Sequence, residues 1–140
     1  MSDLRTTPIS DASVWTGAGL LNDRAWEFEI THTQIVDLEN ALTAVKARGL
    51  ALPNITRHDF PLPAMATLLG AVGNGLRDGH GFALLHGFPV ETHSVEDIAL
   101  MYWGFCSHIG VGVTQNSDAG FIHYVTDGKP VSYTHLRAHE

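Results

Sequence analysis

The chain has 140 residues, of which 44% are hydrophobic and 16% are charged, a composition typical of a single globular domain. Its formal net charge of −7 excludes a basic surface for nucleic acid and a polybasic patch for a membrane. No apolar run approaches the roughly 20 residues of a membrane span, and the polar N-terminus lacks the apolar centre of a signal peptide. The single cysteine, Cys106, cannot form an internal disulfide, so we expect a cytoplasmic protein.

The first half of the sequence predicts a strand and two helices. Residues 26–30 alternate apolar with acidic side chains, which is the period of a half-buried strand. Thr31 and Gln34 form a capping box for a helix that ends before Gly49, because glycine is favoured just beyond a helix. A second helix is predicted over residues 63–79, where proline opens the first turn and internal glycines lower the helix propensity.

The second half predicts a strand, a capped helix and a last strand. Residues 81–85 are a short apolar run between glycines, which favours a buried strand. Ser94 is the predicted N-cap of a helix over residues 95–109, since its hydroxyl can accept from a free backbone N–H of the first turn. The expected apolar stripe of that helix comprises Val95, Ile98, Tyr102, Phe105 and Ile109. With FIHYVT at residues 121–126 as a strand, the order of elements predicts an α+β fold.

Three blocks of the sequence resemble a known family. They are GFALLHGFPV at residues 81–90, HIG at residues 108–110 and TQNSD at residues 114–118. In this order they resemble the N-terminal part of the TauD/TfdA-like iron(II)- and 2-oxoglutarate-dependent dioxygenases, over residues 15–128. The resemblance implies a double-stranded β-helix, the jelly-roll or clavaminate synthase-like fold. This chain would supply its N-terminal helices and first strands, leaving the fold incomplete.

The resemblance also implies an iron site that this sequence does not complete. The family holds Fe(II) with two histidines and one carboxylate, and the first two ligands form a His-x-Asp/Glu pair. None of the nine histidines is followed by an acid two positions later. We therefore expect no catalytic, metal-ligating or cofactor-binding residue in this chain. Fe(II) and 2-oxoglutarate would bind only in the intact enzyme, and the chain alone is expected to be an inactive fragment.

The sequence divides into three parts. Residues 1–13 are interpreted as a loose leader, and residues 14–130 as the N-terminal part of a TauD/TfdA-like domain. Residues 131–140, VSYTHLRAHE, have no periodicity and no resemblance to the family, so we interpret them as a non-native tail. His135 and His139 have the spacing of zinc ligands on a helix, but they lack a supporting scaffold and are not assigned to a site.

Gln115 and Asn116 are the predicted substrate-binding residues. Both amides can donate and accept hydrogen bonds, so they can orient a polar group at the mouth of a pocket. They match a glutamine–asparagine pair that the resemblance places on the substrate side of the iron site. The alternative is a structural loop, in which Asn116, Ser117 and Asp118 stabilise turns.

Other polar residues have structural interpretations. His123, on the last predicted strand, is interpreted as a hydrogen-bonded structural residue, with a site role as the alternative. Asp127 is interpreted as a turn residue, although its position in the family opens towards the active-site loops. His108 suits the negative end of a helix, and Cys106 is interpreted as a small buried hydrophobe rather than a nucleophile. Three tryptophans are expected in the core or at a subunit contact: Trp15, Trp26 and Trp103.

Two functions are therefore considered. The first is an N-terminal fragment of a cytoplasmic dioxygenase that hydroxylates or desaturates a small polar molecule, with no nucleic-acid or membrane partner. The second is a small non-catalytic binding module on the same scaffold. A His-x-Asp pair, a distant histidine and an arginine in frame beyond codon 128 would distinguish the enzyme from the module. The sequence does not specify the substrate or the oligomeric state.

Overall fold

The structure, a computed structural model, describes residue 4 and residues 6–114 and 120–125. Helices, strands and 3-10 turns alternate along the chain in the following order: α1 (Gly17–Asn22), β1 (Glu27–Glu29), α2 (His32–Ala47), 3-10 turns at Leu52–Asn54 and Pro63–Met65, α3 (Ala66–Asp78), β2 (Leu84–His86) and α4 (Val95–Cys106). Helix α1 was not predicted, because its glycines are poor helix formers. It begins where the Thr16 hydroxyl accepts from the backbone N–H of Gly19 at 3.1 Å.

The predicted caps of α2 are confirmed at both ends. The Thr31 hydroxyl accepts from the backbone N–H of Gln34 at 3.3 Å, and the Gln34 side chain accepts from the backbone N–H of Thr31 at 2.9 Å. The helix ends at the C-cap Arg48, and the next residue, Gly49, has a φ of +66°. Glycine adopts this left-handed conformation without the steric penalty of a Cβ atom, so it ends the helix sharply.

The predicted helix over residues 63–79 forms as a 3-10 turn that continues into α3. Pro63 occupies the start of the turn, as the sequence predicts. The Asp37 carboxylate on α2 accepts from the backbone N–H of Ala64 at 2.6 Å. This contact satisfies one of the N–H groups that a helix start leaves without an intrahelical partner. It also joins α2 to the beginning of α3.

The hydrophobic core lies between α2, α3, α4 and the two 3-10 turns. Its most deeply buried side chains are Phe60, Leu38, Met65, Met101, Val45 and Val72. Two polar contacts connect α2 to the start of α4 at the edge of this core. Lys46 pairs with Asp97 at 3.0 Å, and His93 Nε2 lies 3.0 Å from a carboxylate oxygen of Glu39. Packing and these contacts together set the position of α4, whose C-terminal end borders the candidate site.

The two strands form a parallel pair in which Phe28 lies opposite Leu85. The strand predicted over residues 81–85 is displaced, since β2 covers Leu84–His86 and lies between Gly81 and Gly87, both with positive φ. It is also less buried than predicted, because Leu84 is 45% exposed. The described residues contain helices and one parallel pair of strands. They test neither the α+β class nor the double-stranded β-helix, and both stay predictions.

Helix α4 is capped as predicted, but its buried face differs from the prediction. The Ser94 hydroxyl accepts from the backbone N–H of Asp97 at 3.2 Å, while the helix ends at Cys106 rather than at residue 109. Val95 and Tyr102, two members of the predicted stripe, are 58% and 56% exposed. The buried residues are Ala99, Met101, Gly104 and Phe105. The predicted stripe was therefore wrong at Val95 and Tyr102, and the reason is that α4 is apolar on almost every side.

The last predicted strand is not present in the described part of FIHYVT. Residues 121–125 do not form a strand, and residue 126 lies outside the described residues. The segment has no neighbouring strand among the described residues with which to form a ladder, and backbone pairing rather than composition defines a strand. The division into residues 1–13, 14–130 and 131–140 stays a prediction. Within the described ranges, no helix has the length and apolar character needed to cross a membrane.

Candidate functional site

A half-open groove of about 910 Å³ lies beside the C-terminal end of α4. One wall is formed by residues 53–58, which include the end of the first 3-10 turn, and the other by residues 106–112. Its apolar lining comprises Pro53, Ile55, Leu76, Trp103, Ile109 and Phe121. A concave apolar surface of this size with polar groups at its margin is the usual form of a small-molecule site. The groove is therefore the candidate functional site.

Trp103 lines the groove from α4 and contacts segments that are distant in the sequence. Its Nε1–H donates to the carbonyl oxygen of Ile55 at 3.0 Å. The Phe121 ring meets the indole edge-on, with ring centroids 5.3 Å apart and planes at 88°. Gly112 approaches so closely that a Cβ atom there would overlap the six-membered part of the indole. The interpretation of Trp103 as a core aromatic is thus confirmed in part, because the ring packs on the core and also faces the groove.

Two polar side chains at the margin of the groove hydrogen-bond to the backbone, and two others are suited to donate to a ligand. His108 Nε2 donates to the carbonyl oxygen of Phe60 at 2.6 Å, and the Ser107 hydroxyl donates to the carbonyl oxygen of Gly104 at 2.6 Å. These bonds support the structural interpretation of His108. Arg57 and His58 also line the groove, and their guanidinium and imidazole groups are hydrogen-bond donors suited to a polar or anionic group of a ligand.

The wall formed by residues 53–58 is held in shape by Asp59. One carboxylate oxygen accepts from the backbone N–H and the hydroxyl of Thr56 at 2.9 and 3.0 Å. The other oxygen accepts from the Arg48 guanidinium at 2.8 Å. The backbone N–H of Thr56, followed by Arg48, holds the pKa of Asp59 below its usual range, because each contact favours the charged carboxylate. This ionised group therefore fixes the turn beside the groove to the end of α2.

Cys106 faces the groove but is not an activated nucleophile. Burial raises the pKa of its thiol, and a hydrogen bond with Tyr102 opposes that change only in part. The pKa of Tyr102 is also raised, mainly by the electrostatic effect of Cys106. A nucleophilic cysteine needs a lowered pKa, which usually comes from a neighbouring cation or helix N-terminus. The arrangement agrees with the interpretation of Cys106 as a partly buried structural residue.

The described residues do not provide a site for iron. Within residues 6–114 and 120–125, no three histidine, cysteine or acidic side chains come together in a way that could hold a metal ion. The nearest arrangements are pairs: His93 lies 3.0 Å from Glu39, and His86 lies 3.8 Å from Glu27. Two protein ligands are fewer than the two histidines and one carboxylate of a non-haem iron centre. Iron therefore does not fit the part of the chain that the structure describes.

The predicted site residues do not all fall in this part of the chain. Gln115, Asn116 and Asp127 lie outside the described residues, as do His135 and His139. Their predicted roles stay predictions. His123 is described, is exposed and lies outside any strand, so the structure does not bring it into the groove. The segments on either side of residues 115–119 do reach the groove, through Gly112 and Phe121.

Sequence reasoning missed the wall formed by residues 53–58. These residues have no helical or strand periodicity, and they reach Trp103 across 48 positions of the chain. The only local signal is the Thr56–Asp59 pair, whose spacing is typical of a side-chain-stabilised turn. That signal predicts a turn but not its contact with α4.

Comparison with known proteins connects the chain to one enzyme. No family model matches the sequence. The chain is similar to FR-33289 synthase of Streptomyces rubellomurinus (strain ATCC 31215), with 24% identity over 116 residues. The aligned region is 83% of this chain and 34% of the synthase, so the chain spans about a third of the length of this curated relative. The similarity is distant and partial, and it points to an enzyme.

Proposed function

We propose that this chain is the N-terminal part of a non-haem iron(II), 2-oxoglutarate-dependent dioxygenase that hydroxylates or desaturates a small polar molecule. The observation that carries the proposal is the similarity to a synthase over 83% of the chain. That similarity supports an enzyme, and the dioxygenase class is proposed from the resemblance of three sequence blocks to the N-terminal part of TauD/TfdA-like dioxygenases. The groove beside α4 adds a surface on which an organic substrate could bind.

In this proposal the chain contributes to the substrate side of the enzyme. Apolar side chains of the groove would contact the carbon skeleton of the substrate, and Arg57 and His58 at the margin would donate to a polar group. Gln115 and Asn116, which come after Gly112 in the chain and lie outside the described residues, are also proposed to bind the substrate. The sequence has no His-x-Asp/Glu pair, and the described residues bring no three metal-binding side chains together. We therefore propose that the iron ligands and the 2-oxoglutarate site lie in sequence beyond this chain.

A second candidate is a non-catalytic binding module on the same scaffold. It is favoured by one observation: the described residues combine a ligand-sized groove with no cluster of metal-ligating side chains. The two candidates require different sequences downstream of codon 128 of the gene. The enzyme requires a His-x-Asp/Glu pair, a further histidine and an arginine in the same reading frame, and the module requires none of them.

The test compares this chain with the full reading frame of its gene. Both proteins are incubated with Fe(II), 2-oxoglutarate and ascorbate, and succinate is measured. The full-length protein should release succinate, whereas this chain should release none above the blank. The matched control is the full-length protein with the histidine of its His-x-Asp/Glu pair changed to alanine, which should be inactive. Succinate release by this chain alone would contradict the fragment interpretation, and a reading frame without the pair would contradict the dioxygenase.

A further inference from the structure

We propose that the groove beside α4 binds an organic anion, and that Arg57 is the residue that selects for the negative charge. As a statement about the substrate, this inference rests on the proposed function, which requires only a small polar molecule. The binding itself depends on described residues of this chain, so it can be tested without any turnover.

The first observation is that the Arg57 guanidinium has no polar partner. Within the described ranges it makes no hydrogen bond and no ion pair. The other arginine and lysine side chains of these ranges all have a polar partner, in the pairs Arg24–Glu27, Lys46–Asp97, Arg48–Asp59 and Arg77–Asn74. A guanidinium is always ionised and carries several N–H donors, so Arg57 can bind an anionic group without first breaking an internal contact.

Arg57 is also held at a fixed place on the wall of the groove. Arg57 and His58 are the two central residues of a hydrogen-bonded turn. The backbone N–H of Asp59 closes this turn by donating to the carbonyl oxygen of Thr56 at 3.0 Å. Within it, the backbone N–H of His58 donates to the Thr56 hydroxyl at 3.3 Å. Because the backbone is already ordered, a ligand has to order only the two side chains.

The second observation is the charge of the surface around Arg57. The chain has 15 acidic residues against 8 basic ones, yet none of the described residues that line the groove is acidic. Asp59, the acid closest to Arg57 in sequence, is paired with Arg48 at 2.8 Å. A positive charge without a counter-ion on a concave, largely apolar surface attracts anions, because low-dielectric walls focus its field. The groove is therefore complementary to a negative group, although the chain as a whole is negative.

A second hollow places apolar surface on the other side of Arg57. This hollow has a volume of about 460 Å³ and shares Arg57, His58 and His108 with the groove. Its other described lining residues are Pro61, Leu62, Pro63, Ala66 and Leu69, which include no acid. A negative group at Arg57 would thus have apolar surface on both sides. This arrangement favours an organic anion over an inorganic one, since only a carbon skeleton gains from the burial of apolar surface.

The test compares two ligands that share a ring system and differ in charge, the anion 2-naphthoate and the neutral 2-naphthamide. Each is titrated into the ¹⁵N-labelled chain, and the indole N–H resonance of Trp103, assigned with Trp103→Phe, reports binding in the groove. 2-Naphthoate should bind about threefold to tenfold more tightly, the range expected for one ion pair at the margin of a site. The indole resonances of Trp15 and Trp26, which do not line the groove, should not move.

Three substitutions test the role of Arg57. Arg57→Gln should abolish the preference, so that both ligands bind with the affinity that 2-naphthamide has for the wild type. Arg24→Gln is the matched control, because it removes an exposed arginine that does not line the groove, and it should keep the full preference. Arg57→Lys should keep part of the preference, since lysine retains the charge but not the planar fork of donors.

Three binding results would overturn the proposal: equal affinity for the two ligands, no shift of the Trp103 resonance with either ligand, or an equal loss of preference in Arg24→Gln and Arg57→Gln. A large fall in the Tm of Arg57→Gln would also contradict it, because a guanidinium without a partner has no structural bond to lose. The succinate assay tests a separate point. A charge preference without succinate release by the full-length protein would mean that the chain binds organic anions outside a dioxygenase. Succinate release without the preference would keep the dioxygenase and remove the role of Arg57.

Discussion

At the scale of single residues, Asp59 shows how one charged side chain shapes a site that it does not line. Its carboxylate closes the turn that begins at Thr56 and pairs with Arg48 at the end of α2. Both contacts favour the ionised form, which is why the pKa of Asp59 is lowered. The wall of the groove is thus held by a carboxylate whose ionised form is favoured by both of its partners.

We expect Asp59 to contribute to stability in a pH-dependent way. Because its pKa is lower in the folded state, its contribution is complete above about pH 4, the ordinary range of an aspartate, and is lost as the pH falls through the lowered value. Thermal melting between neutral pH and pH 2 should show that the Tm of the wild type falls more steeply with decreasing pH than the Tm of Asp59→Ala. The Tm of Asp59→Asn should also fall less steeply at low pH. At neutral pH this variant should be more stable than Asp59→Ala, since it keeps an acceptor for Thr56. Parallel pH profiles for all three proteins would contradict the assignment.

Asn116 is the residue at which the site proposal can be tested most directly. In the full-length enzyme, Asn116→Ala should lower kcat/KM by about twofold to tenfold, because a lost hydrogen bond to a substrate costs about 0.5–1.5 kcal/mol. The measurement is substrate kinetics beside a melting curve on the same preparation. A turn residue would behave in the opposite way, with a lowered Tm and normal kinetics of the folded fraction. That outcome would remove Asn116 from the proposed site.

At the scale of elements, local chemistry was sufficient to predict both ends of α2 and the start of α4, but not helix α1 or the C-terminal end of α4. The capping box of α2, its glycine at position 49 and the Ser94 cap of α4 involve residues within a few positions of one another. The buried face of α4 was not predictable in this way. When a helix is apolar all round, the period of its sequence does not select the buried face. On α4 the buried face includes Gly104, where the Phe60 ring approaches so closely that it leaves no room for a Cβ atom.

The strand pairing and the groove were harder to predict from the sequence, because both depend on contacts between distant residues. The pairing of Phe28 with Leu85 and the bond from Trp103 to Ile55 connect residues about 50 positions apart. No local pattern encodes such contacts. The sequence indicated Gln115 and Asn116 as the site, which lie outside the described residues, but it did not indicate the wall formed by residues 53–58.

Two glycines provide a paired prediction about helix packing. A Cβ atom at Gly104 of α4 would overlap the Phe60 ring, whereas one at Gly70 of α3 would meet nothing within 4 Å. Gly70→Ala should therefore raise the free energy of unfolding by about 0.5–1 kcal/mol, the usual gain of alanine in a helix. Gly104→Ala should lower it by about 1–3 kcal/mol through overpacking. Urea unfolding gives the free energy of unfolding of both variants. If both substitutions change it by the same amount, the Phe60 ring moves away from the added Cβ atom at no energetic cost.

At the scale of the whole molecule, the surface around the groove contains exposed apolar side chains. Val111 is 93% exposed and Val113 is 65% exposed, and Val111 lines the groove. Large exposed apolar surfaces mark interaction or ligand-binding faces, and Val111 combines high exposure with a place in the lining of the groove. The chain aligns with only 34% of FR-33289 synthase, so most of that enzyme has no counterpart here. Under the proposed function, in which this chain is part of a longer enzyme, we expect further protein to cover this side of the groove.

This inference predicts that the same substitution has different effects in the short and the long protein. Val111→Ser should leave the stability of this chain within about 0.5 kcal/mol of wild type, because the side chain is already in water. In the full-length protein it should cost about 1.5–3 kcal/mol, the value of fully burying such a side chain. Ile109→Ser is the control: Ile109 packs against the core in this chain, so its replacement should destabilise both proteins. Urea unfolding measures the stability of both substitutions in both proteins. If Val111→Ser leaves the stability of the full-length protein unchanged, this face remains open to solvent or substrate.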